Sequence, residues 1–191
     1  METKSIISAG VGGQGSLLAS KLLGRLLLDQ GYDVKVSEVH GMSQRGGSVV
    51  TYVRYGEKVY SPIVGLGEAD LLLSFELLEA ARWLPYLKVG GAVVTNTQQI
   101  DPMPVVTGQM TYPEDLAAKI AAKGVKIDAF DCLSLAEQAG SPKAVNIVLL
   151  GRLSHYFPDI PAEAWQASLE ANVPPKVLDL NKVAFALGQQ G

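Results

Sequence analysis

Short apolar runs rich in β-branched residues alternate along this chain with longer stretches whose apolar positions recur every three or four residues. The first pattern is that of strands and the second that of amphipathic helices, and their alternation predicts an α/β fold on a mostly parallel sheet. Strands are expected at Ser5–Ala9, Asp33–Val36, Ser48–Tyr55, Leu71–Phe75, Ala92–Asn96 and Val125–Asp131. Helices are expected at Gln14–Asp29, Leu77–Tyr86, Pro113–Lys123 and Lys143–Tyr156. Tyr55-Gly56-Glu57-Lys58 reads as a turn, so Lys58–Ser61 should return antiparallel beside the third strand. Pro102 and Pro104 predict a loop or an edge strand after Asn96.

From Pro142 onward the composition turns helical. Pro161 suits the first turn of a helix running to about Asn172, and Pro174-Pro175 separates it from a last helix ending near Gly188. The apolar residues of Val177–Leu187 read as packing surface. With no repeat, low-complexity tract or linker in view, the chain reads as a single domain over residues 1–191, with a sheet core to about 150 and a helical part from about 151.

Between the first strand and first helix lies Gly10-Val11-Gly12-Gly13-Gln14-Gly15. Strand, glycine-rich turn, helix is the setting in which this spacing carries meaning. Glycines permit a tight turn and close backbone approach, and amides at the helix N-terminus can hold an anion. The expected fold is therefore a three-layer, Rossmann-like sheet with helices on both faces and a helical C-terminal segment. A dinucleotide site would also need an acidic residue at the end of the second strand, for which Glu38 is placed and Asp33 is a poorer choice. Equally, the glycines serve if they only let the helix pack closely on the sheet.

A second glycine segment follows at once: His40-Gly41-Met42-Ser43-Gln44-Arg45-Gly46-Gly47, inside SEVHGMSQRGGSVV. It is too polar to be core, yet strands bracket it, and loops at the carboxyl ends of strands border the ligand crevice of an open α/β sheet. Arg45 offers a fork of donors suited to phosphate or carboxylate. Ser43 and Gln44 add neutral hydrogen-bonding groups, and Gly46-Gly47 admits another backbone or a cofactor. Singly, His40 can be a structural hydrogen-bonder and Arg45 an ordinary ion pair; together the eight residues form a binding or docking surface.

Bulk properties narrow the field. A formal net charge of −3 and the absence of a basic run argue against nucleic acid as a partner. No apolar run is long enough for a membrane span and no signal-peptide pattern opens the chain, so a cytoplasmic protein is expected. The single Cys132 excludes an internal disulfide framework. A mean hydropathy of +0.19 leans toward a chain that hides surface against a partner.

GVGGQG followed by SEVHGMSQRGGSVV resembles the gamma-type subunits of 2-oxoacid:ferredoxin oxidoreductases, and within them the small (beta) subunits of indolepyruvate ferredoxin oxidoreductases. NIVLLGRL (Asn146–Leu153) and NKVAFALG (Asn181–Gly188) extend the likeness along almost the whole chain. That resemblance implies a complex that oxidatively decarboxylates indolepyruvate or related aryl pyruvates to the acyl-CoA and passes the electrons to ferredoxin, with coenzyme A as co-substrate. Thiamine diphosphate, magnesium and iron–sulfur clusters would sit in a larger catalytic subunit, since clusters need several thiolates and this chain has one cysteine. No GDG…NN-type stretch is present for magnesium and the thiamine diphosphate group. This chain would then be an accessory subunit, with no catalytic residue or metal ligand of its own and no tightly bound cofactor. Its surface toward the partner or coenzyme would comprise Gly10, Gly12, Gly13, Gln14, Gly15 and the loop His40 to Gly47. Two alternatives stand beside it: a free-standing NAD(P)-dependent oxidoreductase built on the first loop and Glu38, and a non-catalytic nucleotide-binding module.

Overall fold

The computed structural model describes residues 2–38 and 47–190. Among these, β1 (Lys4–Val11), β2 (Asp33–Glu38), β3 (Ser48–Gly56), β4 (Ala69–Ser74), β5 (Leu87–Asn96) and β6 (Lys126–Phe130) form one sheet in the order β2-β3-β1-β4-β5-β6. β1, β4, β5 and β6 run parallel, whereas β3 lies antiparallel between β1 and β2.

Period-two alternation divides the sheet's side chains between two apolar layers. Ile6, Val53, Leu73 and Val94 face one side, and Ile7, Val50, Leu72 and Val93 the other. The first side is covered by α1 (Ser16–Asp29), α5 (Cys132–Gln138), α6 (Val145–Leu153), α7 (Ala162–Asn172) and α8 (Pro175–Gln190). The second is covered by α2 (Leu77–Trp83) and α4 (Leu116–Ala121); α3 (Met103–Val106) is a single turn in the segment after β5. The three-layer α/β architecture is thus the one expected. α1 shows why the period works: Leu22, Leu23, Leu26 and Leu27 are buried on its sheet side, while Arg25 and Asp29 pair at 2.8 Å on its outer side.

The C-terminal helices are packed into the core. α6 is buried over nearly its whole length because the sheet covers one side and α8 the other. The two helices meet backbone to backbone. A Cβ added at Gly151 would lie 2.1 Å from the Phe185 carbonyl oxygen, and one at Gly188 would lie 2.0 Å from that of Val148. An aromatic series then ties the tail to the sheet, with ring centroids of Phe185 and Trp165 at 5.5 Å, Trp165 and Phe157 at 5.8 Å, and Phe157 and Tyr55 of β3 at 6.1 Å.

The structure departs from the sequence reading at several points. Lys58–Ser61 forms no strand, because both edges of β3 are taken by β1 and β2; instead the Val59 amide donates to Asp33 at 2.9 Å. Cys132–Gln138, assigned to no helix, is α5, started by Asp131, whose carboxylate accepts from the amides of Leu133 and Ser134. α4 begins only at Leu116, after Asp115 at φ 53°. After Asn96, by contrast, the first of the two expected forms is found, a loop, with one helical turn in it. No helix among the described residues is long and apolar enough to cross a membrane.

Replacing Gly188 with alanine tests the α6–α8 contact. Alanine favours a helix by about 1 kcal/mol over glycine. Overpacking costs about 1–3 kcal/mol or more, and here the obstacle is a carbonyl that cannot rotate away. The clash should win. Gly188→Ala is expected to lower the melting temperature by several degrees, read by thermal denaturation of the purified subunit; an unchanged or raised value would refute the contact.

Candidate functional site

The carboxyl end of β1 turns through Gly12-Gly13-Gln14-Gly15 before α1 starts at Ser16. Gly13 has φ +105° and Gly15 φ +80°, conformations that favour glycine. The neighbours of these glycines set different demands. A Cβ on Gly13 would meet open space, whereas one on Gly15 would lie 2.7 Å from the side-chain nitrogen of Asn146, which donates to the Gly15 carbonyl at 3.2 Å. A Cβ on Gly10 would lie 2.9 Å from Cβ of Phe75. Gln14 turns inward: its carbonyl accepts from the Val11 amide at 2.8 Å, and its amide donates to the Phe75 carbonyl at 2.9 Å and toward Gln98 at 3.4 Å. Gln14 therefore staples the loop to the end of β4.

The glycine turn meets Gly47, the last residue of the second glycine segment. The Gly12 amide donates to the Gly47 carbonyl at 2.9 Å, continuing the β1–β3 ladder in which Val11 pairs with Ser48. His40, Gly41, Met42, Ser43, Gln44, Arg45 and Gly46 lie outside the described residues. Glu38 ends β2 opposite Thr51 of β3, which in turn faces Ser8 of β1. A dinucleotide site needs its acidic residue on the strand next to β1. Here β3 occupies that place and holds Glu38 about two strand spacings away, roughly 10 Å, so the first loop and Glu38 do not form that arrangement.

Sequence reasoning missed a polar network on the same rim. Glu76, 1% exposed, accepts from the Glu79 amide at 2.9 Å, from the Ile100 amide at 3.1 Å and from the Tyr112 hydroxyl at 2.5 Å. Burial, reinforced by this carboxylate, pushes the Tyr112 phenol upward and keeps it a donor. The side-chain amide of Asn96 donates to the Phe75 carbonyl at 3.3 Å and its carbonyl accepts from the Cys132 amide at 3.2 Å. Glu79 accepts from the Ser48 hydroxyl at 2.5 Å and faces Arg82 at 3.0 Å. The available signal was position: Phe75-Glu76 directly follow β4, and Asn96 ends β5 with Gln98 just beyond it, at the carboxyl ends of parallel strands.

Around this network lie three clefts. One of about 300 Å³ is bordered by Gly12, Gly13, Ser16, Val49 and Thr51, and another of about 460 Å³ by Gly13, Gln14, Gln98, Leu133 and Lys143. A third of about 280 Å³ lies between Gly47, Ser48, Glu79, Ile100 and Met103. The glycine loop is thus a ridge between two spaces of small-molecule size. Among the described residues, Gln14, Glu76, Glu79 and Asn96 are all hydrogen-bonded to the protein, which holds the rim in shape. A cluster held by several thiolates has no counterpart in a chain with one cysteine. Burial pushes the lone Cys132 thiol far up, away from the thiolate form, and the described residues contain no group of three or more potential metal ligands.

Residues 5–191 match the family described as pyruvate ferredoxin/flavodoxin oxidoreductase. The chain belongs to that family. It is 48% identical to the indolepyruvate oxidoreductase subunit IorB of Thermococcus kodakarensis, covering 98% of this chain and 95% of that protein. IorB of Pyrococcus horikoshii is 46% identical with the same coverage. In fold it is similar to the gamma subunit of a keto/oxoacid ferredoxin oxidoreductase from Geobacter sulfurreducens, with a TM-score of 0.72 and 22% identity over 98% of this chain and 96% of that one. Both of these sequence relatives are subunits of an indolepyruvate oxidoreductase.

A pair of variants separates strain from crowding in the loop. Gly15→Ala should destabilise the subunit by about 1–3 kcal/mol through its backbone conformation, with an added loss from displacing Asn146. Gly13→Ala meets no neighbour and should lose only the conformational part. Urea denaturation of both, with Asn146→Ala in each background, should show coupling for Gly15 and additivity for Gly13. Equal losses in the two would refute the Asn146 contact.

Proposed function

We propose that this chain is the small accessory subunit of an indolepyruvate:ferredoxin oxidoreductase, in which a larger catalytic subunit carries thiamine diphosphate, magnesium and the iron–sulfur clusters. The reaction is oxidative decarboxylation: carbon dioxide leaves the 2-oxoacid, the acyl group passes to coenzyme A, and the released electrons go to ferredoxin. The observation that carries this reading is identity of 46–48% to two IorB subunits over nearly the full length of both chains. The donor set agrees with it, since a chain with one buried cysteine leaves cluster chemistry to a partner. A free-standing NAD(P) enzyme is disfavoured by β3 standing between β1 and Glu38.

Within the complex, Gly10–Gly15 and the segment His40 to Gly47 face the large subunit or coenzyme A. Support comes from the Gly12–Gly47 hydrogen bond, which places the described ends of both segments on one rim beside the three clefts.

Co-expression with the large subunit should give reduction of ferredoxin or a viologen that depends on indolepyruvate and coenzyme A. The purified small subunit should be colourless and silent in the same assay. Cluster absorbance or 2-oxoacid oxidation by the lone chain would overturn the assignment. Arg45→Ala should leave the subunit folded but weaken assembly or raise the KM for coenzyme A. The loss is about 2–5 kcal/mol for a buried charge-assisted contact. Arg45→Lys should recover only part, because lysine supplies the charge without the fork. Normal assembly and kinetics for Arg45→Ala would remove this segment from the functional surface.

A further inference from the structure

We propose that residues 101–111, a loop held at both ends by the buried Glu76 carboxylate, form an apolar projection that docks against the large subunit. This rests on the accessory-subunit reading above.

The loop leaves the end of β5 and returns toward α4. One oxygen of Glu76, Oε1, accepts from both of its ends: from the Ile100 amide at 3.1 Å and from the Tyr112 hydroxyl at 2.5 Å. The Tyr112 hydroxyl in turn accepts from the Leu78 amide at 3.0 Å, which ties the base of the loop to α2. Between these points the chain bonds to itself. The successive amides of Val105 to Met110 all donate to carbonyls of residues 102–105, at 2.8–3.1 Å, and the Thr107 hydroxyl donates to the Met103 carbonyl at 2.9 Å. A loop closed at its base and hydrogen-bonded within is a compact Ω-type unit, ordered without help from a partner.

That order does not come from burying side chains. Met103, Val106 and Met110 are 68%, 64% and 65% exposed. Met103 and Val106 stand three residues apart on one side of the α3 turn, and the bond from the Met110 amide to the Pro104 carbonyl folds the third side chain back onto the same turn. Their apolar surface is roughly 300 Å², the size at which a monomer's largest patch is often functional. Asp101 is the only charged residue in the loop. Methionine with few charges is the composition of an interface core, and thioether side chains adapt to a facing pocket. Location selects the occupant. Met103 borders the 280 Å³ cleft together with Gly47 and Ser48, so the loop continues the rim assigned to the large subunit. A dimer of this chain would need about 800 Å² from each copy. The loop alone falls well short of that, which suits it as a preordered anchor within a wider interface.

The test measures affinity between the small and large subunits, with the melting temperature and the sedimentation of the isolated small subunit alongside. A triple variant, Met103→Gln, Val106→Thr and Met110→Gln, keeps the size of the loop and makes its surface polar. It should weaken association at least about tenfold. It should melt within about two degrees of the wild type, because the substituted side chains are exposed. Met103→Leu with Met110→Leu keeps the surface apolar and should bind within about threefold of the wild type. As a control, Leu28→Gln with Val183→Thr makes the same kind of change at exposed residues of α1 and α8 and should leave affinity unaltered. Wild-type affinity in the triple variant would overturn the proposal, as would an equal loss in the control or a loss that follows a fall in melting temperature. A dimer of the isolated subunit that the triple variant dissolves would also overturn it, by giving the loop to a second copy. If the wild-type subunits do not associate, the accessory-subunit reading falls and takes this one with it; a wild type that associates beside an indifferent triple variant refutes this proposal only.

Discussion

The antiparallel pairing of β3 with β1 is the constraint on which the rest of the site depends. Its register runs unbroken from Lys4 opposite Tyr55 to Val11 opposite Ser48, and the next bond joins Gly12 to Gly47. The first glycine turn and Gly47, the last residue of the second glycine segment, are thereby brought to one rim by backbone hydrogen bonds, without any side chain having to recognise another. The same pairing moves β2 outward, so Glu38 sits beyond β3 instead of beside the loop. One topological choice joins Gly12 to Gly47 and removes the geometry of a dinucleotide site.

The loop is also supported from behind by elements far along the chain. Asn146, in the first turn of α6, holds the Gly15 carbonyl, and α6 is itself clamped by α8 through Gly151 and Gly188. Side chains at either glycine would push the helices apart, and a shift of α6 would carry Asn146 with it. The aromatic series from Phe185 to Tyr55 closes the circuit by anchoring the tail to β3, the strand that carries the second glycine segment. The helical C-terminus is therefore part of what sets the loop's shape, although it contributes no group to the rim.

Period and punctuation made most of this fold legible in the sequence. β-Branched runs marked the strands, leucine spacing marked α1, and a glycine turn between them marked the rim. What escaped notice depended on pairing between distant segments. Nothing local in Ser48–Tyr55 says that it will slide in next to β1, and that event is what leaves Lys58–Ser61 without a free strand edge. α5 was hidden because its seven residues are too few for a helical period to declare itself; only Asp131, as a capping residue, marked its start. Glu76, Asn96, Gln98 and Tyr112 were invisible as a group because they come from three separate places, whereas a rule about strand ends would have picked out the first three.

The balance of these interactions explains why the chain suits an accessory role. Gln14, Glu76, Asn96 and Glu79, the polar side chains at the end of the parallel strands, are bonded to the protein's own amides, hydroxyls and guanidinium. Groups so engaged hold a backbone surface rigid. Rigidity is what a partner-facing surface gains most from, because segments ordered before association need not be ordered during it. Among the described residues, a rim whose polar side chains are bonded to the protein and whose glycine ridge lies between open clefts presents a surface of that preordered kind.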